Sequence, residues 1–284
     1  MTQTTNISQQ EKAKRFYELH HSEKLLVLPN IWDCVGALLL EDLNYPAIAT
    51  ASASIAFSNG YDDGEHIPFN DLLSLLKRIT GCVNIPVTAD IESGYAENND
   101  QLKENIKRLI ETGIVGINIE DTDKKTSTIL PTEQQCERIQ RIKEASGEMG
   151  VSLFINARTD IFHRGKGLDT EASKLEETIK RGAAYKSAGA DCFFPLAVQK
   201  EIDIKRIFDN LQMPLNIILI PGVPSLITLH HLGVARVSLG PGFLKYAVKA
   251  MKNLAHKLQQ MDGLTDIVEN EITSDYMKKL VNKL

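Results

Sequence analysis

Short apolar runs alternate along this chain with longer stretches of helical periodicity. The runs fall at residues 25–28, 47–51, 85–89, 116–119, 151–157, 191–196, 215–220 and 235–239. Between them, apolar residues recur at three- and four-residue steps: Val35, Leu38, Leu39 and Leu43; Leu72, Leu76 and Ile79; Leu102, Ile106, Leu109 and Ile110; Ile139 and Ile142; Leu175 and Ile179; Ile204 and Ile207. Runs this short read as buried strands, and their alternation with helices reads as repeated βαβ units on a parallel sheet. Eight such units fit a (β/α)8 TIM-type barrel, whose working loops follow the strand C-termini. The competing open, doubly wound sheet calls for G-x-G-x-x-G after an early strand, and residues 25–33 hold nothing of the kind. A polar-faced helix at about 9–21 precedes the first strand. A helical extension at about 247–284, read as two helices broken at Asp262 and Gly263, follows the last. No low-complexity linker divides the chain, so 1–284 reads as a single α/β barrel domain.

Polar residues gather where the strands end. Strand one is followed by Asn30, Trp32 and Asp33; strand two runs through Thr50, Ala51 and Ser52 to Ser54. Strand three delivers Asp90 and Glu92, strand four Asn118, Glu120 and Asp121, and strand five Asn156, Arg158 and Asp160. Strand side chains alternate faces, so Asp90 and Glu92 are expected to project together from one strand end. Two carboxylates on one face repel unless a cation or a shared proton lies between them, and a hard cation such as Mg²⁺ takes oxygen ligands while keeping several waters. The bland alternative is a loop entry whose acids face water. Arg158 offers a bidentate grip on a carboxylate or phosphonate, or else is the structural counter-ion of Asp160 or Asp90. Small residues at Thr50, Ala51 and Ser52 let backbone N–H groups approach an anionic substrate. Glu120 has the alternative of pairing with a lysine across the mouth. Lys124 and Lys125 read as a solvated loop pair, and His20–His21 and His230–His231 as surface or packing residues rather than metal ligands.

Composition narrows the classes. Of 284 residues, 43% are hydrophobic, which allows a sizeable core, and the net charge of -5 provides no basic footprint for nucleic acid. Cys34, Cys82, Cys136 and Cys192 are scattered without a C-x-x-C pair, so reduced thiols are expected rather than disulfides or structural zinc. No apolar run reaches the roughly 20 residues of a membrane span, and the polar first residues lack a signal core. A cytoplasmic protein is expected.

The runs at 49–64, 87–95, 117–121, 156–160 with 164–167, and 233–240, including a D-x-[DE] pair and A-R-T-D, together resemble the isocitrate lyase/phosphoenolpyruvate mutase family. The resemblance extends from about residue 25 to about 250. It implies an α/β barrel that binds Mg²⁺ (or Mn²⁺) and acts on small 2-oxo or 2-hydroxy acids by C–C or P–C chemistry through an enolate-like intermediate. Carried position by position, it implies metal-shell roles for Asp90, Glu92 and Glu120, a substrate-carboxylate loop at Thr50, Ala51 and Ser52, and catalytic roles for Arg158, Asp63 and Glu120. It also implies homodimers or homotetramers that exchange their last helix. The lyases of that family carry a K-[KR]-C-G-H loop after strand four. Here residues 121–131 are shorter and hold neither Cys nor His, and Cys136 lies beyond them. After strand six Leu196 stands where those lyases commonly place Glu. Oxaloacetate-like decarboxylation or hydrolysis is therefore the expected activity, with phosphonopyruvate-type P–C chemistry and a non-catalytic 2-oxo-acid-binding barrel as alternatives.

Overall fold

Pro29 interrupts the first strand, and that break lets one short segment close the sheet on both sides. The computed structural model describes residues 7–282, so the ends of the expected first and last segments, 1–6 and 283–284, lie outside the described residues. The strands in chain order are β1 (Leu26–Leu28), β2 (Asn30–Ile31), β3 (Ile48–Thr50), β4 (Val87–Asp90), β5 (Gly116–Glu120), β6 (Thr122–Asp123), β7 (Thr128–Ile129), β8 (Phe154–Thr159), β9 (Cys192–Pro195), β10 (Asn216–Ile218) and β11 (Arg236–Ser238). Parallel pairing runs β2-β3-β4-β5-β8-β9 and β1-β11-β10, and a bridge between Phe193 and Leu215 joins the two sets. With β1 and β2 as one strand broken at Pro29, the ring closes as an eight-stranded parallel barrel. The barrel expectation holds. Only β6 and β7, a small antiparallel hairpin after β5, stand outside the ring.

Residues paired in register face the same side, so the inward set can be followed around the barrel: Thr88 and Asp90, Asn118 and Glu120, Asn156 and Arg158, Cys192 and Phe194, Asn216, Arg236. Barrel interiors usually stack branched apolar residues. Here the middle layer is polar, with Asn156 Nδ2 donating to Asn118 Oδ1 at 2.8 Å and Arg236 Nη2 to the same oxygen at 3.3 Å. Burial pulls the Arg236 guanidinium down to about 10. The expectation that Asn118 and Asn156 sit at strand ends is thus corrected. Each lies one layer below the mouth, because Glu120 and Arg158 continue the same strands two residues further.

The N-terminal helix, Gln9–His20, starts on a capping box in which Ser8 and Glu11 satisfy each other's backbone N–H groups. It seals the N-terminal end of the barrel. Phe16 and His20 pack on the inward ring of Phe154, and Gly116 leaves the room: a Cβ there would lie 2.8 Å from the Phe16 ring. Access is left at the strand C-termini. The C-terminal extension contains three helices rather than two: Gly242–Gln259, a short Leu264–Val268 after the break at Gly263, and Ser274–Val281. Leu280 of the last is buried against the helix Cys34–Asp42. Among the described residues no helix is long and apolar enough to cross a membrane.

Candidate active site

At the open end of the barrel two cations are sunk among acids. Arg158, at the end of β8, donates from Nε to Asp160 Oδ1 at 2.6 Å and from Nη2 to Asp160 Oδ2 at 2.9 Å, while its Nη1 lies 2.9 Å from Glu120 Oε2. Lys124, on the hairpin, places Nζ 2.7 Å from Glu120 Oε1 and 2.8 Å from Glu92 Oε2. Both oxygens of Glu120 are therefore met by cations. Burial is the leading influence on each group. It raises Glu120, and raises Glu92 to about 7 against the opposing pull of Lys124. Burial alone would lower the Lys124 ammonium, but Glu120 and Glu92 outweigh it and lift the pKa well above the usual lysine value. Asp160 ends below its ordinary value because the Arg158 charge and hydrogen bonds overcome burial.

The expectation of a solvated pair at Lys124 and Lys125 holds for one residue only. Lys125 is exposed and paired with Glu97, whereas Lys124 has its side chain 22% exposed and ties the hairpin to the barrel mouth. The hairpin explains the difference. Asp123 Oδ1 accepts from the amides of Lys125 and Thr126, turning the chain so that the two lysines face opposite ways.

Asp90 and Glu92 do not share a strand face. β4 ends at Asp90, and Glu92 sits in the left-handed region at φ 53, inside a turn closed by Gly94 N–H donating to Ile91 O at 2.8 Å. Such a conformation is uncommon for a residue with a Cβ and must be held from outside. Glu65 holds it. Its Oε1 accepts from Ser93 N, Ser93 Oγ and Tyr95 N, and its own N–H donates to Glu92 Oε1 at 2.8 Å. Gly94 supplies the close approach, since a Cβ there would stand 2.5 Å from Leu102. Neither Glu65 nor Lys124 stands out in the sequence. The only local signal is the four-residue step from Glu120 to Lys124.

Thr50 and Ser52 hydrogen-bond with Asp90. Thr50 Oγ1 accepts from Asp90 N, and Ser52 donates to Asp90 Oδ2 from Oγ at 3.0 Å and from N at 3.4 Å. The Ala51 amide is used by Ile31 O. Asp63 stands on the exposed loop after the helix Ser52–Ser58. Desolvation of its carboxyl first, and the Asp90 charge second, raise its pKa, with the Lys124 and Arg158 charges opposing. Asp121 turns away from the mouth into a buried knot, accepting from Thr159 Oγ1, Tyr185 OH, Arg181 Nη1 and Asp160 N.

Whether these acids suit a divalent ion is decided by their partners. Among the described residues no three His, Cys, Asp or Glu side chains converge as a ready cage. Mg²⁺ needs none, since it is usually held by one or two carboxylates and completes its shell with water. Asp90, at the C-terminal end of β4, has the Ser52 hydroxyl and the Ser52 and Glu92 amides as its hydrogen-bond partners, with Glu120 at the end of the neighbouring β5. That oxygen donor set suits a hydrated Mg²⁺ carried on Asp90.

The family model described as phosphoenolpyruvate phosphomutase matches residues 16–259. The chain belongs to the isocitrate lyase/phosphoenolpyruvate mutase superfamily. Within it, an uncharacterised protein of Mycobacterium tuberculosis is 32% identical over 226 residues, 79% of this chain and 81% of that protein. The 2-methylisocitrate lyase of Bacillus subtilis is 28% identical over 215 residues, 73% of this chain and 67% of the lyase. The fold superposes on an oxaloacetate acetylhydrolase solved with oxalate at a TM-score of 0.82 and 18% identity, covering 95% of this chain and 94% of that one. Membership places the chain among the lyases and mutases of this superfamily.

Proposed function

We propose that this superfamily member is a divalent-metal-assisted lyase or hydrolase that cleaves a carbon–carbon bond in a small 2-oxo dicarboxylate of the oxaloacetate type. The observation that carries the reading is the hairpin after β5. Its one inward acid–base group, Lys124, is held as a cation between Glu92 and Glu120, with neither thiol nor imidazole beside it. A reaction that must protonate a carbanion leaving group needs a well-placed acid, contributing about 10²–10⁴-fold. Decarboxylation of a 2-oxo dicarboxylate of this type releases the C4 carboxylate as CO2, and the electron pair of the broken C3–C4 bond passes into the enolate of the 2-oxo group, which water can later protonate at C3. A bound divalent ion would supply Lewis-acid stabilisation of the enolate charge. The chain's own residues orient the substrate. Asp160 accepts from two of the five N–H donors of Arg158 and Glu120 pairs with its charge, which fixes the guanidinium plane and leaves donors for a substrate carboxylate. Phe194, with its ring centre 5.9 Å from the guanidinium carbon, excludes water from that side.

The test is a panel of oxaloacetate, 2-methylisocitrate, isocitrate and phosphonopyruvate with Mg²⁺, read by product NMR. Oxaloacetate should be consumed above the Mg²⁺-only background and the isocitrates left almost untouched. Asp90→Ala should lower oxaloacetate turnover by about 10²–10³-fold, the scale of removing one preorganised electrostatic group. Turnover of phosphonopyruvate alone would favour the P–C reading suggested by the family model's description. Binding of oxalate without turnover of any substrate would favour a 2-oxo-acid-binding barrel.

We further propose that a second copy of the chain covers the C-terminal helices. The helix Gly242–Gln259 buries no residue and exposes Tyr246 (77%), Val248 and Met251 (69%), and Leu264 of the next helix is 71% exposed. Beside the first of these helices lies an open apolar cavity of about 710 Å³ between Trp32, Val35, Leu39 and Phe243. Light scattering should find a dimer or tetramer, and Tyr246→Asp combined with Met251→Asp should reduce it to a monomer. An unchanged mass would refute the interface.

A further inference from the structure

Lys124 raises a question that the metal reading alone does not answer. The space between Glu92 and Glu120, where waters of an ion on Asp90 would find their carboxylate partners, is filled by the Lys124 ammonium at 2.8 and 2.7 Å. The lysine is not there by default. A hairpin of its own, β6 with β7, presents it: Leu130 N–H donates to Asp121 O at 2.7 Å at the base, and Ser127 N–H to Asp123 O at 2.8 Å at the tip. Glu120 and Glu92 are 3% exposed, and buried carboxylates without a cation are costly. A lysine tethered four residues from Glu120 therefore supplies a counter-charge at high effective concentration, competing with any ion from solution.

We propose that Lys124 is an internal cation that competes with the divalent ion, so that the ammonium docked between Glu92 and Glu120 and a hydrated metal at Asp90 exclude one another. The proposal rests on the metal reading above and goes beyond it: the hairpin sets metal affinity, and metal binding must undock the hairpin from the mouth. A lysine that instead helped to bind the metal complex would act in the opposite direction, since its removal would weaken metal binding.

Calorimetry of the full chain with MgCl2 and MnCl2, without substrate, separates the two. Lys124→Met should bind Mg²⁺ at least about tenfold more tightly than wild type, because the competing charge is gone, Glu92 loses its cation and Glu120 keeps only Arg158. Lys124→Arg, which keeps a cation on the hairpin, should stay near the wild-type value. Asp90→Ala should abolish binding in either background, which locates the titrated site. A second reading comes from limited trypsin digestion: Mg²⁺ should speed cutting after Lys124 and Lys125 in wild type, and Lys124→Met should be cut quickly after Lys125 with or without the ion. Equal or weaker Mg²⁺ binding by Lys124→Met that still depends on Asp90 would overturn the competition and leave the metal reading in place. Protection from trypsin by Mg²⁺ would overturn it as well. Absence of Mg²⁺ and Mn²⁺ binding in all variants would overturn both.

Discussion

Replacing Arg158 by leucine should cost about 3–5 kcal/mol of folding stability, the scale of breaking a buried ion pair by removing one partner. Its two hydrogen bonds to Asp160 and its ion pair with Glu120 are lost when it goes, leaving two buried carboxylates short of a cation. Arg158→Lys should retain much of that stability and lose function. One ammonium cannot span Asp160 and Glu120 with a fork while presenting further donors in the same plane. Chemical denaturation measures the first effect, and oxalate calorimetry with oxaloacetate turnover measures the second. A lysine variant that binds oxalate like wild type would mean that Arg158 only balances the charge of Asp160 and Glu120.

A stability loss in mild acid should trace to the other end of the barrel. His20 is 3% exposed, stacked on Phe154 with ring centres 4.1 Å apart, and its Nδ1 lies 2.8 Å from Phe16 O. Burial first, and the Arg236 charge second, bring its pKa from the usual 6.5 down to about 3. The unfolded chain therefore takes up a proton near pH 6.5, while the folded chain refuses it until near pH 3. The contribution is fully present above about pH 6.5 and falls by up to about 1.4 kcal/mol per pH unit below that, levelling off near pH 3. Between pH 7.5 and pH 5, wild type should lose about 2 kcal/mol more than His20→Phe, which has no proton to gain. Urea titrations at the two pH values test this. Parallel losses in both proteins would show that the ring titrates normally in the fold.

The same two regions mark how far the chain could be read without its structure. All eight barrel strands lie at the apolar runs, because a buried parallel strand must be apolar on both faces and leaves a contiguous signature. The boundaries moved where a polar residue continues a strand inward. β8 starts at Phe154 rather than 151 and runs on through Arg158 to Thr159, since its pairing with β5 extends to Glu120. The polar layer of Asn118, Asn156, Asn216 and Arg236 breaks the usual apolar pattern, and only ring closure shows that these residues face one another.

At the site, residue type was legible and partnership was not. Asp90, Glu120 and Arg158 read as strand-end groups from the βα pattern, and the structure brings them to one mouth. Glu92 follows its strand in a left-handed turn, Asp121 points to the opposite side, and Lys124 docks although its neighbour Lys125 is solvated. The sequence by itself determined the barrel and its acidic rim, because periodicity and strand-end chemistry are local properties of the chain. Only the tertiary structure decided which acids meet which cations. Those pairings depend on turns held by distant residues, as Glu65 holds the turn carrying Glu92, and on burial, which raises the cost of an unpaired charge until each finds a partner.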